Sequence, residues 1–116
     1  MKHLMTALVG ATFAVGIVLA AAAAGQGDKV AAGKKIYDTN QCKTCHMAEK
    51  VGNKQYPLDG ISAKMSDADI RKWMTATTEM EAKLKEAPKV KMSAMWKKKL
   101  GDEDLEALVA YIKSLK

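Results

Sequence analysis

The stretch that decides the fold is Cys42-Lys43-Thr44-Cys45-His46, a CxxCH pentapeptide in a chain of 116 residues. Two residues separate the thiols, and an imidazole follows the second thiol directly. On a helical turn this spacing lets both sulfurs reach the two vinyl groups along one edge of a porphyrin, with the histidine beneath the iron. The pentapeptide therefore predicts one haem c bound covalently through Cys42 and Cys45, with His46 as the fifth iron ligand.

A close pair of cysteines also has other uses in proteins. A thioredoxin-type redox site needs strands that the sequence does not indicate, and a zinc site needs four donors where only three are obvious. A disulfide across two intervening residues would close a very short loop and stabilise little. Haem attachment is the favoured interpretation. A haem-free thiol oxidoreductase is the alternative, and free cysteines in the mature protein would reveal it.

The N-terminal residues predict export to a periplasm-like compartment. Lys2 precedes an apolar stretch, residues 4–20, and small residues follow up to Ala24. This order is typical of a secretory signal with cleavage near Ala24. We therefore predict a cleaved signal peptide at residues 1–24 and a single domain at residues 25–116. An uncleaved membrane anchor is the alternative interpretation.

The predicted mature domain is small and moderately basic. Once Lys2 is removed with the signal, eighteen basic residues face thirteen acidic ones, a formal charge of +5. Such a balance suits acidic proteins, nucleic acid or anionic lipid, and export argues against nucleic acid. The only Phe, Phe13, lies in the signal segment, so the core is poor in large side chains and needs a stabilising cofactor. We expect a monomer that contacts a membrane only if the signal is uncleaved.

Hydrophobic periodicity predicts an all-α domain with three main helices around one haem. The first helix spans residues 28–39. The second begins after Ser66, which with Asp69 forms a capping-box arrangement, and it cannot continue past Pro88. The last helix begins at Gly101, and no alternating strand pattern competes with this assignment. The apolar positions of the second helix are Ile70, Trp73, Met74, Met80 and Leu84, and those of the last are Leu105, Leu108, Val109, Ile112 and Leu115.

The remaining donors restrict the sixth iron ligand. The mature chain has one histidine and both cysteines are used in thioether bonds, so a second histidine and a cysteinate are excluded. A lysine amine, with a reference pKa of about 10.4, would first have to lose a proton, whereas a thioether coordinates directly. The candidates are the methionines of the mature chain: Met47, Met65, Met74, Met80, Met92 and Met95.

The position of each methionine along the chain favours Met92. Three of them lie next to His46 or on the apolar face of a predicted helix, where packing is the better interpretation: Met47, Met74 and Met80. Met92 and Met95 lie in the segment after Pro88, which we predict to be a non-helical loop folded over the haem. Met92 is the favoured ligand. Met95 is the alternative ligand. If Met92 is the ligand, we expect Met95 to pack against the porphyrin ring. Met65 is the third candidate.

Over residues 28–116 the chain resembles the class I c-type cytochromes. In that family a glycine and an aromatic residue four positions later on the first helix cross an aromatic residue on the last helix. Gly33 with Tyr37, and Leu108 with Tyr111, match this pattern. A missing side chain at Gly33 lets two helix backbones approach closely.

The resemblance also implies roles for single residues. The family's Lys-Met-Pro-x-aromatic loop is similar to Lys91-Met92-Ser93-Ala94-Met95, with serine and methionine in place of proline and the aromatic residue, and it implies Met92 as the axial position. A proline about where Pro57 lies commonly offers its carbonyl to the haem histidine in the family. Tryptophans of relatives donate an indole N–H to a haem propionate, which implies this role for Trp73 or Trp96.

These residues predict an electron carrier and no enzyme. A histidine and a methionine together fill the coordination sphere of iron and leave no easy place for oxygen or substrate. We expect single electrons to pass between redox-partner proteins. Lysines expected around the exposed haem edge predict acidic docking surfaces on those partners: Lys43, Lys89, Lys91 and Lys97 to Lys99. The alternatives are a subunit dedicated to one larger oxidoreductase and a haem-based ligand sensor.

Overall fold

The structure, a computed structural model, describes the backbone of residues 17–116 and the side chains of residues 25–116. Most of these residues lie in five α-helices: α1 Ile17–Thr39, α2 Asp67–Thr75, α3 Thr77–Ala82, α4 Met92–Met95 and α5 Asp102–Ser114. Single 3-10 turns lie at Cys42–Thr44 and Ile61–Ala63. Three short strands complete the described part of the chain: β1 His46–Ala48, β2 Val51–Gly52 and β3 Tyr56–Pro57. The predicted all-α class is confirmed, although the helices number five and a small sheet is present.

The helix predicted from residue 28 begins earlier, at Ile17, and ends at Thr39 as predicted. The predicted signal segment and its cleavage point near Ala24 lie outside the residues whose side chains are described, and they stay predictions. Within residues 17–116, no helix combines the length and the apolar character that crossing a bilayer requires.

The crossing of α1 and α5 is the tightest contact of the fold. A Cβ built on Gly33 would lie 1.9 Å from the backbone oxygen of Ala107 and 2.6 Å from the Cβ of Tyr111. Only a glycine permits the two backbones to approach this closely. Beside the crossing, the rings of Tyr37 and Tyr111 pack with centroids 5.5 Å apart and planes inclined at 59°. The predicted contact between the first and last helices is confirmed.

The apolar face of α5 forms most of the core and packs against α1 and α2. Its buried residues are Leu105, Ala107, Leu108, Val109, Tyr111 and Ile112. The helix begins after Gly101, as predicted, with acidic residues in its first turn and Lys113 in its last turn. This charge distribution complements the helix dipole.

The segment predicted as one second helix consists of two helices. Ser66 caps α2 as predicted, because its hydroxyl accepts the backbone N–H of Asp69 at 3.2 Å. The helix stops where Ala76 leaves the helical region, with φ −136° and ψ 49°. The hydroxyl of Thr77 donates to the carbonyl of Trp73 at 2.8 Å, a type of bond that often bends helices. Hydrophobic periodicity continues across such a break and does not reveal it.

The small sheet shapes the loop that follows the CxxCH motif. β1 pairs with β2 in the antiparallel sense and with β3 in the parallel sense. Glu49 and Lys50 join β1 to β2 with positive φ angles of 52° and 64°, a conformation that favours glycine. The carboxylate of Asp59 accepts both of their backbone N–H groups, at 2.7 and 2.9 Å, and stabilises the turn. Strands of two or three residues are too short to show an alternating pattern, so the sequence did not predict them.

Replacing Gly33 should separate α1 from α5. We expect Gly33→Ala to lower the free energy of unfolding by about 3 kcal/mol or more, because the new methyl group meets backbone atoms that cannot rotate away. Gly27→Ala on the same helix is the control, since a Cβ there has no atom within 4 Å. Urea unfolding of the purified variants measures the difference. Equal stability of the two would contradict the close crossing.

Candidate functional site

A largely apolar cavity of about 610 Å³ lies between the CxxCH motif, α2, α5 and the segment around α4. Cofactor pockets typically measure about 300–1,000 Å³ and are predominantly apolar. Residues lining the cavity include Cys42, Cys45, His46, Tyr56, Met65, Trp73, Met74, Glu81, Met92, Met95, Trp96 and Leu108. A second groove of about 520 Å³, which includes Arg71 and Lys97, has neither thiol nor imidazole in its wall.

The structure brings four predicted site residues to this one cavity: Cys42, Cys45, His46 and Met92. The 3-10 turn at Cys42–Thr44 places both sulfurs in the wall, half-buried and outside any disulfide. Burial raises the pKa of the Cys42 thiol to about 11.

The imidazole of His46 is held in one orientation by a backbone carbonyl. Its Nδ1 lies 2.9 Å from the oxygen of Tyr56. A carbonyl can only accept, so Nδ1 carries the proton and the lone pair of Nε2 is available to a metal. Burial lowers the pKa of His46, which keeps the ring neutral. The acceptor predicted from the resemblance was Pro57. That prediction is wrong, because the parallel pairing of β1 with β3 sets His46 opposite Tyr56.

The carbonyl of His46 is fixed from three sides. It accepts a hydrogen bond from the hydroxyl of Tyr37 at 3.2 Å and another from the backbone N–H of Asn53 at 3.1 Å. Gly52 passes so close that a Cβ there would lie 2.3 Å from the same oxygen, and its φ of 110° also favours glycine. Sequence patterns did not predict these roles of Asn53 and Gly52, although the glycine within this short loop is a turn signal.

A polar cluster behind the histidine loop joins it to both long helices. The carboxylate of Glu49 accepts the Nζ of Lys34 at 2.6 Å and the hydroxyl of Tyr111 at 3.0 Å. The bond to Lys34, and after it the bond to Tyr111, lowers the pKa of Glu49. The same bond to Glu49 raises the pKa of Lys34. Residues far apart in the sequence form these links, so motif analysis did not find them.

Trp73 presents an unsatisfied donor at the cavity. Its indole Nε1 is buried and, among the atoms described for residues 25–116, has no hydrogen-bond partner. Buried polar groups are nearly always paired, so an unpaired donor at a cavity wall fits the acidic group of a bound molecule. A haem propionate is such a group, and the residues of this cavity therefore fit a haem.

The cavity wall also includes residues of α4, a single helical turn in a segment predicted to be a non-helical loop. Met92, its first residue, is half-buried, whereas the side chain of Met95 is 68% exposed. Both polar groups of Ser93 donate to the carboxylate of Glu81, at 2.8 Å from the backbone nitrogen and 2.7 Å from the hydroxyl. The hydroxyl bond is the main cause of a lowered pKa at Glu81. The prediction of a non-helical loop is wrong at these four residues, because a single helical turn is too short to show a period in the sequence.

A family model described as Cytochrome c matches residues 30–116. The chain belongs to the cytochrome c family. The comparisons with curated proteins and with solved structures found no match. The resemblance to class I c-type cytochromes is confirmed, and the protein is an electron-carrying c-type cytochrome. Its haem c is covalent, and Cys42 and Cys45 have the spacing that one haem requires.

The cytochrome exposes lysines of two kinds. Five lysines form ion pairs with carboxylates: Lys29, Lys34, Lys50, Lys83 and Lys113. The six that the sequence analysis assigned to the haem edge are exposed and have no ion pair within residues 25–116: Lys43, Lys89, Lys91, Lys97, Lys98 and Lys99. Only Lys98 among these six bonds a side chain of that part of the protein, the amide oxygen of Asn40 at 3.2 Å. No carboxylate of residues 25–116 forms an ion pair with these six lysines, and the same holds for Lys35, Lys54, Lys64, Lys72, Lys85 and Lys116.

Removing the hydroxyl of Tyr37 should loosen the histidine loop. We expect Tyr37→Phe to lower the free energy of unfolding by about 1 kcal/mol, the usual contribution of one hydrogen bond. Tyr56→Phe is the control, because the hydroxyl of Tyr56 has only one long contact, at 3.5 Å, with exposed Gln55. Urea unfolding of the holoproteins compares them. A loss as large in Tyr56→Phe would show that the bond to the His46 carbonyl contributes nothing.

Proposed function

We propose that this cytochrome is an exported, freely diffusing carrier that passes single electrons between redox-partner proteins, with His46 and Met92 as axial ligands of its one haem. The observation that carries the proposal is the shared cavity, whose wall contains both thiols, the oriented imidazole and Met92. When bound, haem c supplies a one-electron iron couple. The chain supplies the two axial donors and an apolar wall that excludes water, and we propose no substrate chemistry of its own.

Burial favours Met92 over Met80 and Met95, and packing against the hydrophobic core distinguishes it from Met65 and Met74. Met92 is half-buried in the cavity wall, whereas Met95 is 68% exposed. Met65 and Met74 also line the cavity, but they pack against the hydrophobic core. Met80 is 8% exposed and belongs to the core. A thioether opposite an imidazole raises the reduction potential and suits a carrier whose ligands stay bound in both redox states.

Trp73 is a candidate hydrogen-bond donor to the haem. Its buried indole N–H lacks a partner within the described part of the chain, and we propose that a propionate accepts it. Trp96 also lines the cavity. Among the side-chain nitrogen and oxygen atoms of residues 25–116, only the indole nitrogen of Trp73 is both buried and without a hydrogen-bond partner. Trp73 is therefore the better of the two candidates.

The lysines without ion pairs support partners with acidic docking surfaces. Positive charge around the cavity would attract such a partner and orient it on approach. Residues 1–24 support export, because a basic residue, an apolar stretch and small residues follow one another. We place the carrier in the periplasm on this basis, as a monomer without nucleic acid.

The visible spectrum tests the axial ligands. Protein expressed with its full leader should show, by intact mass, cleavage near Ala24 and one covalent haem. We expect the oxidised protein to show the weak red charge-transfer band of a sulfur–iron bond. Met92→Ala should abolish this band and lower the reduction potential, because the thioether raises the potential. Met95→Ala is the control and should keep both. Loss of the band in Met95→Ala alone would contradict the assignment of Met92.

Electron-transfer rates test the docking surface. We expect Lys97→Glu to slow reduction by an acidic ferredoxin about threefold or more at low ionic strength, because the reversed charge repels the donor. Lys97 directly follows Trp96 of the cavity wall, whereas neither neighbour of Lys35 in the chain lines the cavity. Lys35→Glu on α1 makes the same charge change and is therefore the control. Stopped-flow measurements should show the difference disappear near 1 M salt, where the Debye length is about 3 Å. Rates that do not depend on salt would exclude steering by these lysines.

A further inference from the structure

The carboxylate of Glu81, in α3, accepts two hydrogen bonds from Ser93. Ser93 belongs to the segment that also contains Met92. The backbone nitrogen of Ser93 lies 2.8 Å from Oε1, and the hydroxyl oxygen lies 2.7 Å from Oε2. Both bonds have an ionised acceptor, and such bonds are roughly twice as strong as bonds between neutral groups. Two bonds from one carboxylate also fix the orientation of Ser93, because each oxygen has its own donor.

Few other polar contacts hold this segment. α4 has four residues, far fewer than a helix needs to be stable by itself. Its other backbone bonds are local, from Ala94 and Met95 to the carbonyl of Lys91 and from Trp96 to the carbonyl of Met92. Among the described residues, Glu81 is the residue of another helix that accepts hydrogen bonds from residues 89–96.

The location of this link matters for the proposed axial ligand. Ser93 directly follows Met92 in the chain, and Glu81 itself lines the cavity. A displacement of Ser93 away from α3 therefore moves the backbone of Met92 away from the cavity wall. Val90 and Met95, which flank this link in the chain, are 45% and 68% exposed.

We propose that Glu81 is a positioning residue, which holds Met92 at the iron by binding both polar groups of Ser93. The inference rests on Met92 ligation as proposed above and goes beyond it, because it names what keeps the sixth position closed. Without this carboxylate the segment opens more often, and an external ligand then competes with the thioether.

Imidazole binding to the oxidised holoprotein measures this opening. We expect Glu81→Ala to increase the apparent affinity for imidazole about tenfold, because the two bonds to Ser93 no longer oppose opening. Ser93→Ala should have a smaller effect, because its backbone N–H still donates. Glu81→Gln should stay within about threefold of the wild type, since its amide oxygen can accept that N–H and its amide nitrogen can donate to the hydroxyl. Glu86→Ala is the control, an exposed glutamate without a hydrogen bond or ion pair in residues 25–116.

The double variant Glu81→Ala/Ser93→Ala tests whether the two residues act together. We expect it to bind imidazole no better than Glu81→Ala alone. When two residues form one interaction, the effects of replacing each of them do not add. Effects that multiply would overturn the proposal. So would equal imidazole binding by Glu81→Ala and Glu86→Ala. If Glu81→Ala does not fold, Ser93→Ala decides: imidazole binding above that of Glu86→Ala supports the proposal, and equal binding overturns it.

The charge-transfer band of the wild type separates this inference from the proposed function. A wild type without the band overturns the ligation by Met92 and, with it, the role of Glu81. A wild type with the band, together with an unchanged Glu81→Ala, overturns only the role of Glu81. A weaker band in Glu81→Ala, restored in Glu81→Gln, supports positioning.

Discussion

Where α1 crosses α5, the two backbones touch because position 33 has no side chain. The geometry around the histidine follows from this steric constraint. Tyr37, one turn further along α1, reaches the carbonyl of His46, and Tyr111 of α5 reaches the carboxylate of Glu49. Wider separation of the helices would withdraw both hydroxyls from their acceptors. One contact between two helices therefore determines where the chain holds its imidazole, although that contact is not part of the cavity.

The two walls of the cavity are held in different ways. The wall that contains His46 is fixed by backbone pairing, by the Tyr56 carbonyl and by hydroxyls from the helix crossing. The wall that contains Met92 belongs to a four-residue helix whose hydrogen bonds to other helices, within residues 25–116, come from Ser93. Segments with few buried contacts open at a low free-energy cost. The histidine side is therefore held by more hydrogen bonds to other parts of the fold than the methionine side.

Local signals in the sequence predicted most of the framework. The CxxCH motif, the cap at Ser66 and the start of α5 each depend on neighbours within a few positions, so the sequence was sufficient. Features that depend on distant partners were missed. The break at Ala76 leaves the apolar periodicity almost unchanged, and the bond from Glu81 joins residues 12 positions apart. The carbonyl that accepts the hydrogen bond from His46 was predicted at Pro57 and lies one residue earlier, at Tyr56. The register of two short strands cannot be read from composition.

The turn at Glu49 and Lys50 limits the order in which this sequence can diverge. Both residues have a backbone conformation that glycine adopts more easily, and Asp59 compensates by accepting both N–H groups. Loss of the carboxylate first would leave a strained turn without its acceptor. Glycine at position 50 first would relax one of the two residues, so that less of the turn then depends on the carboxylate at position 59. Along an evolutionary lineage, the loop beside the histidine is therefore expected to change at position 50 before it changes at position 59.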